Sequence, residues 1–258
     1  MYIGSGTFNY SRMKTRYLLT TLSFLLLING TRIMAQQSFE HDTLMTGSGP
    51  VEMWFLGHGS LMFKYHDRII QIDPYSSVAD YATLPKADLI LITHQHGDHL
   101  DLNAIGKTSK STTAIFCNAL SAPKLPGAKV MKNGDTTVSG DIKIEAVPAY
   151  NIKHERSPGN PYHPKGEGNG YVLTLGDKRI YIAGDTENIP EMSDLKDIDV
   201  AFLPMNLPYT MTPEMVADAV RMIHPAILYP YHYGDTNTDL LLPLIDRSRT
   251  EIRIRKLK

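Results

Sequence analysis

The segment Thr93-His-Gln-His-Gly-Asp-His99 constrains this chain more than any other, because three imidazoles and a carboxylate fall within six residues. It follows directly on Asp88-Leu-Ile-Leu-Ile-Thr93, an apolar, β-branched run typical of a strand buried on both faces. Neutral imidazole and carboxylate are the usual donors to zinc and related divalent metals. On a tight loop, side chains two apart can converge. His94 and His96 are therefore expected to clamp one metal, with Asp98 and His99 pointing to a neighbouring position. Two more donors stand at strand ends: Tyr181-Ile-Ala-Gly-Asp185 places Asp185 there, and Leu228-Tyr-Pro-Tyr-His232 places His232. Taken alone, Asp185 reads equally as a turn former and His232 as a satisfied, semi-buried imidazole. Several such ends converging on one edge of a sandwich point instead to a metal centre.

The rest of the pattern supplies that sandwich. Residues 51–56, 61–65 and 68–73 read as a meander, with His66-Asp67 as the tight turn between the last two. Further strand-like runs cover residues 142–147, 171–175, 179–183, 200–203 and 226–229, and Asn133-Gly134, Ser139-Gly140 and Gly176-Asp177 read as hairpin turns. Thr212-Pro213-Glu214 is a helix start: a capping hydroxyl, proline in the first turn and an early acid. Val216, Ala219, Val220 and Ile223 follow at helical spacing, and Leu240, Leu241, Leu244 and Ile245 suggest another helix after Thr238. Many strands with few amphipathic helices imply two sheets packed face to face with helices outside. A chain of 258 residues fits one such domain.

The N-terminus reads differently. Met13-Lys-Thr-Arg16, an apolar stretch from Leu18 to Ile28 and Ala35-Gln-Gln37 have the layout of a signal peptide with its cleavage point, and Met13 is a plausible start of translation. The stretch is too short and too interrupted for a comfortable membrane span. The expectation is a signal peptide over residues 1–35, a loose polar leader over 36–50, a folded domain over 51–258, and an exported, periplasmic or extracellular protein. A formal net charge of −1 provides no basic field to gather nucleic acid. The single cysteine, Cys117, excludes an intramolecular disulfide framework and reads as a buried structural thiol.

The chain resembles the metallo-β-lactamase superfamily, and within it the ascorbate-6-phosphate lactonase-like and N-acyl-phosphatidylethanolamine phospholipase D-like branch. The resemblance rests on Gly57-His-Gly-Ser60, Ile72-Asp-Pro74, the His94–His99 motif, Gly184-Asp-Thr186 and Pro230-Tyr-His-Tyr233, and runs from Val51 to the C-terminus. It implies a four-layer αββα sandwich with two divalent metals, zinc foremost and manganese or iron as alternatives, between the sheet edges. His94 and His96 would belong to the first metal and Asp98, His99 and His232 to the second, with Asp185 bridging them. The family usually has a histidine after the strand that here ends at Val147-Pro-Ala149, where this chain has Tyr150-Asn151. His163 is the favoured replacement, with His154 and Asn151 as the alternatives.

These readings suggest a hydrolase that cleaves an ester, lactone or phosphodiester bond of a small-molecule or lipid-derived substrate. Water on the metal would be ionised near neutral pH, and Asp98 could orient it. His58 and Tyr209 are candidates for substrate binding or proton transfer, and equally for a structural hydrogen bond and a packed aromatic. A true β-lactamase, or a non-catalytic metal- or ligand-binding protein on a degenerate site, are the competing functions.

Overall fold

The computed structural model describes Met1, Tyr2, Gly4 and residues 38–258, and the strands and helices all belong to the unit Gln37–Lys258. The expected signal peptide lies outside the described residues, apart from those first three.

Seven strands follow one another in the first sheet: β1 (Glu40–Thr46), β2 (Gly49–Gly57), β3 (Ser60–Tyr65), β4 (Arg68–Ile72), β5 (Leu89–Ile92), β6 (Ala114–Cys117) and β7 (Lys129–Val130). The first four pair antiparallel and the last four pair parallel, sharing β4. The chain then crosses once to the second sheet, which holds β8 (Thr136–Ser139) and β9 (Ile142–Ala149). A small separate ribbon intervenes, β10 (Glu155–Ser157) with β11 (Asn160–Pro161). The second sheet resumes with β12 (Gly168–Leu175), β13 (Lys178–Ile182), β14 (Val200–Pro204), β15 (Ile227–Tyr231) and β16 (Glu251–Ile252). Its plan repeats that of the first, antiparallel up to β13 and parallel beyond it.

Alternation along the strands explains why the sheets stack. Val51, Met53 and Phe55 of β2, Leu89 and Leu91 of β5, and Ile180, Val200, Phe202 and Tyr229 of the second sheet enter one shared core. The intervening residues of the central parallel strands face outward and are buried too. Ile90 and Ile92 pack with Ile105 of α1 (Leu102–Thr108), while Tyr181, Ala201, Leu203 and Leu228 pack with α2 (Pro213–Ile223). Strands covered on both faces carry unbroken apolar runs for this reason. The result is a helix–sheet–sheet–helix sandwich.

Both helices are capped by their own sequence. Asp101 accepts from the N–H groups of Asn103 and Ala104, and Thr212 accepts from Met215 N–H with Pro213 in the first turn. The buried face of α2 includes Val216, Ala219, Val220 and Ile223, the stripe expected from their spacing. Cys117 is buried at the end of β6, where burial pushes its thiol up to about 11.

Three expectations fail. Within the segment expected to be a loose leader, residues 38–50 are ordered: β1 pairs with β2 over its whole length, and Asp42 is gripped by Arg255 Nη2 at 2.8 and 2.9 Å and by the Tyr229 hydroxyl. After Thr238 there is only a 3-10 turn, Thr238–Leu241, because Pro243 lacks the N–H to continue it. Asn133-Gly134 does not close a hairpin either; it sits where the chain passes from β7 to β8, which lie in different sheets.

Candidate metal centre

Every chemically active side chain stands at one edge of the sandwich, on the turns that leave the strands. From the first sheet come His58 between β2 and β3, Asp73 after β4, and Thr93 to His99 after β5. From the second come Asn151 after β9, Asp185 after β13, Asn206 after β14 and His232 after β15.

Three groups of donors meet there, each with its ligating atoms within 4.8 Å of one another. His94, His96 and His163 form one, His58, Asp98, His99 and His232 a second, and His94, His99 and Asp185 a third between them. Asp185 lies 3.3 Å from His163 Nε2 and 3.5 Å from both His99 Nε2 and His232 Nε2. His58 Nε2 meets Asp98 at 3.0 Å, so His58 sits within the second group and not only at its margin. Of the two histidines among the alternatives after β9, His163 is the one brought into a donor group, while Asn151 Oδ1 accepts from His163. His154 turns away, with Nδ1 facing the Thr210 carbonyl at 2.9 Å and the Glu187 carboxylate at 2.9 Å. Tyr209 lines the cavity over the cluster with its ring half exposed, and its backbone carbonyl receives the Asn151 amide.

Hydrogen bonds to the far side of each ring explain the orientation. His99 Nδ1 donates to Asp73 at 2.8 Å, leaving Nε2 free on the cluster side. Thr93 Oγ1 donates to the same carboxylate at 2.6 Å and stands 3.0 Å from His94 Nδ1, from which it accepts. His163 Nδ1 and its backbone N–H both donate to Asn151 Oδ1, at 2.7 and 2.8 Å. The amide at position 151 therefore positions an imidazole, and its oxygen is used up in doing so. Partners of this kind fix the tautomer of a ligating histidine.

One level further out stands Glu187, fully buried. Its carboxylate accepts from the backbone N–H groups of Ile152, Lys153 and His154 at 2.7–3.0 Å and from Asn151 Nδ2 at 3.2 Å. Burial alone would raise its pKa, but these donors outweigh burial and lower it. His58 adopts a left-handed conformation (φ 54°), donating its N–H to the Lys258 carbonyl and accepting from His232 N–H. Close approach also needs small residues: a Cβ on Gly59 would stand 2.9 Å from His99 Cε1, and one on Gly184 (φ 66°) would meet the Asn169 carbonyl at 2.8 Å.

The donor chemistry fits metal ions. His99 Nε2, His232 Nε2 and Asp185 Oδ1 are buried and make no hydrogen bond to any described group, an expensive state unless something else satisfies them. Burial, and then neighbouring imidazoles, hold His94 and His96 below the usual histidine value. Burial likewise lowers His232 to about 4, Asp185 opposing, so these three rings are neutral at pH 7. His99 differs: burial pulls it down, but Asp185 and Asp73 outweigh that and raise it to about 10. Asp185 and Asp98 stay ionised despite burial, Asp185 through His232 and His99, and Asp98 through the His58 hydrogen bond and His99. The lone pairs of His94, His96 and His232 with the two carboxylates form a ligand set for divalent metals, and His99 would join it by giving up its Nε2 proton.

Residues 52–232 match the beta-lactamase superfamily domain model. A UPF0173 metal-dependent hydrolase of Thermococcus onnurineus is 37% identical over 198 residues, which cover 71% of this chain and 85% of that protein. The chain belongs to this family of metal-dependent hydrolases within the metallo-β-lactamase superfamily. The namesake from Desulforamulus reducens is 31% identical over 197 residues, 71% of this chain and 85% of that one. A solved structure of a protein named as a metal-dependent hydrolase, from Parabacteroides distasonis, superposes with a TM-score of 0.82 at 54% identity, covering 86% of this chain and all of that one. This chain is accordingly a metal-dependent hydrolase with the metallo-β-lactamase fold. The family's archaeal and bacterial members carry no sign of secretion, which overturns the expectation of an exported, periplasmic protein with a signal peptide. Among the described residues no helix is long and apolar enough to cross a membrane.

Sequence reasoning missed Asp73, Thr93 and Glu187 as positioning groups and gave no role to Asn206, whose amide stands 3.4 Å from His232 Nδ1. Asp73 had a visible signal, a carboxylate between a strand and Pro74; Glu187 had only its place two residues after Asp185.

Proposed function

We propose that this hydrolase cleaves an ester, lactone or phosphodiester bond in a small molecule, using two divalent ions, zinc foremost. His94, His96 and His163 would hold the first ion, Asp98, His99 and His232 with His58 beside them the second, and Asp185 would face both. The observation that carries the reading is the set of orphaned buried atoms, His99 Nε2, His232 Nε2 and Asp185 Oδ1, aimed into one space. Such ions lower the pKa of bound water towards neutrality and polarise the oxygen of the bond to be broken.

The chain's own groups handle binding and protons. Asp98 is the most exposed carboxylate of the cluster and faces a cavity of about 360 Å³ while hydrogen-bonded to His58. That pair would take a proton from water at the cluster and hold it at His58. The Tyr209 phenol, from a residue lining the same cavity, would donate to a substrate oxygen. The volume suits a small molecule. The grouping of His163 with His94 and His96 supports this reading over a degenerate, non-catalytic site. The likeness to the lactonase-like branch makes lactones the first class to test, ahead of phosphodiesters, N-acyl lipids and β-lactams.

The test is elemental analysis of the metal-replete protein together with a substrate screen before and after chelation. About two ions per chain and turnover that disappears on chelation and returns with metal support the proposal. Undiminished turnover in fully demetallated protein would overturn it.

A further inference from the structure

We propose that Arg156 is the anion-recognition residue of this pocket, so that the substrate carries a carboxylate or phosphate group beside the bond that is cleaved. The inference rests on the reading of the pocket as the active site and adds a substrate class to it. Arg156 lies on β10, outside both sheets, yet its side chain lines the cavity together with His58, His96, Asp98 and Tyr209. Its Nη2 stands 3.4 Å from His96 Nε2.

Its pairing and its place together set it apart. Arg68, Arg179, Arg221, Arg249, Arg253 and Arg255 each lie within salt-bridge reach of a carboxylate, and Arg247, which does not, is outside the lining of this cavity. Among the described residues no carboxylate is that close to Arg156, although Asp98 and Asp185 line the same cavity. The guanidinium is nonetheless held in place. It lies 5.1 Å from the centre of the Tyr162 ring, and that ring meets Tyr209 edge-on at 5.0 Å. Glu155 closes the turn of the ribbon by accepting from Gly159 N–H at 3.0 Å, and Glu187 anchors the chain just before it. A planar, always charged fork, oriented but without a carboxylate partner on the wall of this pocket, matches the geometry of a carboxylate or phosphate.

The charge of the guanidinium points to the same class. A cationic ligand would be repelled by it, and a neutral one would leave the fork facing the bound molecule without an anion to pair with.

The experiment uses the full metal-loaded chain, wild type beside Arg156→Gln and Arg156→Lys. Turnover of mono-4-nitrophenyl succinate is compared with that of 4-nitrophenyl acetate, and binding of succinate and of inorganic phosphate is measured by calorimetry. The ratio of kcat/KM for the anionic ester to that for the neutral one should fall about 10- to 100-fold in Arg156→Gln, with partial recovery in Arg156→Lys. The affinity for the preferred anion should fall by a similar factor. Stronger binding of succinate or of phosphate by the wild type tells the carboxylate from the phosphate class. An unchanged ratio together with unchanged anion affinity would overturn the proposal, and an equal loss on both esters would reduce Arg156 to a structural part. If the wild type turns over neither ester, the hydrolytic reading of the pocket suffers while the calorimetry still decides the role of Arg156.

Discussion

Replacing Glu187 by glutamine changes one atom of a buried side chain and should dismantle half of the metal centre. Oε2 accepts from Ile152 and Lys153 N–H, and Oε1 from His154 N–H and Asn151 Nδ2. Whichever way the glutamine amide turns, its NH2 faces two donors that had an acceptor. Hydrogen bonds to a charged group contribute about 1.5–3 kcal/mol each, so losing two, with partial rehydration of the loop, costs about 2–4 kcal/mol. For a domain of this size each kcal/mol lowers Tm by about 2–4 °C, giving a fall of about 4–16 °C. The loss should also be local in the metal count, because Asn151 and through it His163 hang from Glu187, whereas His99 and His232 do not. Calorimetric melting and elemental analysis of the purified variant read both effects. The pH dependence has a definite sign. The folded pKa of Glu187 is depressed, so its contribution is complete above the ordinary value of 4.5 and is lost as pH falls through the folded one. The gap between wild type and Glu187→Gln should therefore narrow in acid. A variant with wild-type Tm and full metal content would show that the loop is held by something else.

Other perturbations separate the parts of the site. His96→Ala and Asp185→Ala should each lose metal and turnover together while circular dichroism stays native; full metal stoichiometry in both would sink the ligand assignment. His163→Ala should lower the metal content by about one ion, whereas His154→Ala should leave it alone, and the reverse pattern would reassign the loop histidine. Gly59→Ala should weaken metal binding about tenfold by pressing on His99, whose Cε1 would lie 2.9 Å from the new methyl; unaltered affinity in a chelator competition would refute the crowding argument. Asp42→Ala, which frees β1 from Arg255 and Tyr229, should cost about 1–3 kcal/mol and speed hydrogen exchange over residues 40–46. Unchanged exchange there would mean that strand pairing alone holds β1.

What could be read from the sequence was local. The donors from His94 to His99 lie within a single turn, and Asp185 and His232 each end an apolar run, so composition and position sufficed to single them out. The central parallel strands β5, β14 and β15 announced themselves because both of their faces are covered, whereas the exposed β7 and the short β16 at the sheet edges did not. The first strand did not: along His41-Asp-Thr-Leu-Met45 one face is open to solvent, and its order comes from backbone pairing and from Asp42 reaching the far end of the chain. Glu187 was illegible as a support because its partners are mainly backbone N–H groups distant in sequence, and Asp73, though marked by its place before Pro74, did not reveal that it holds His99. Arg156 looked like any polar loop residue. The export reading failed differently, since a basic and apolar N-terminus is a compositional pattern that relatives can overrule.

The single passage from β7 to β8 divides the chain into two halves of like plan, and neither owns the centre. His94, His96, Asp98 and His99 belong to the first half, and His163, Asp185 and His232 to the second. His94 and Asp185 are roughly ninety residues apart along the chain, so no short nascent segment can assemble the ligand set, and the halves must dock before it exists. An ion bound there would act as a rivet through two plates. At a free metal concentration 1,000 times the dissociation constant it would favour the docked arrangement by about 4 kcal/mol. Chelation would then loosen the joint between the halves as well as silence the chemistry, and the heat needed to part them would report the metal supply around the protein.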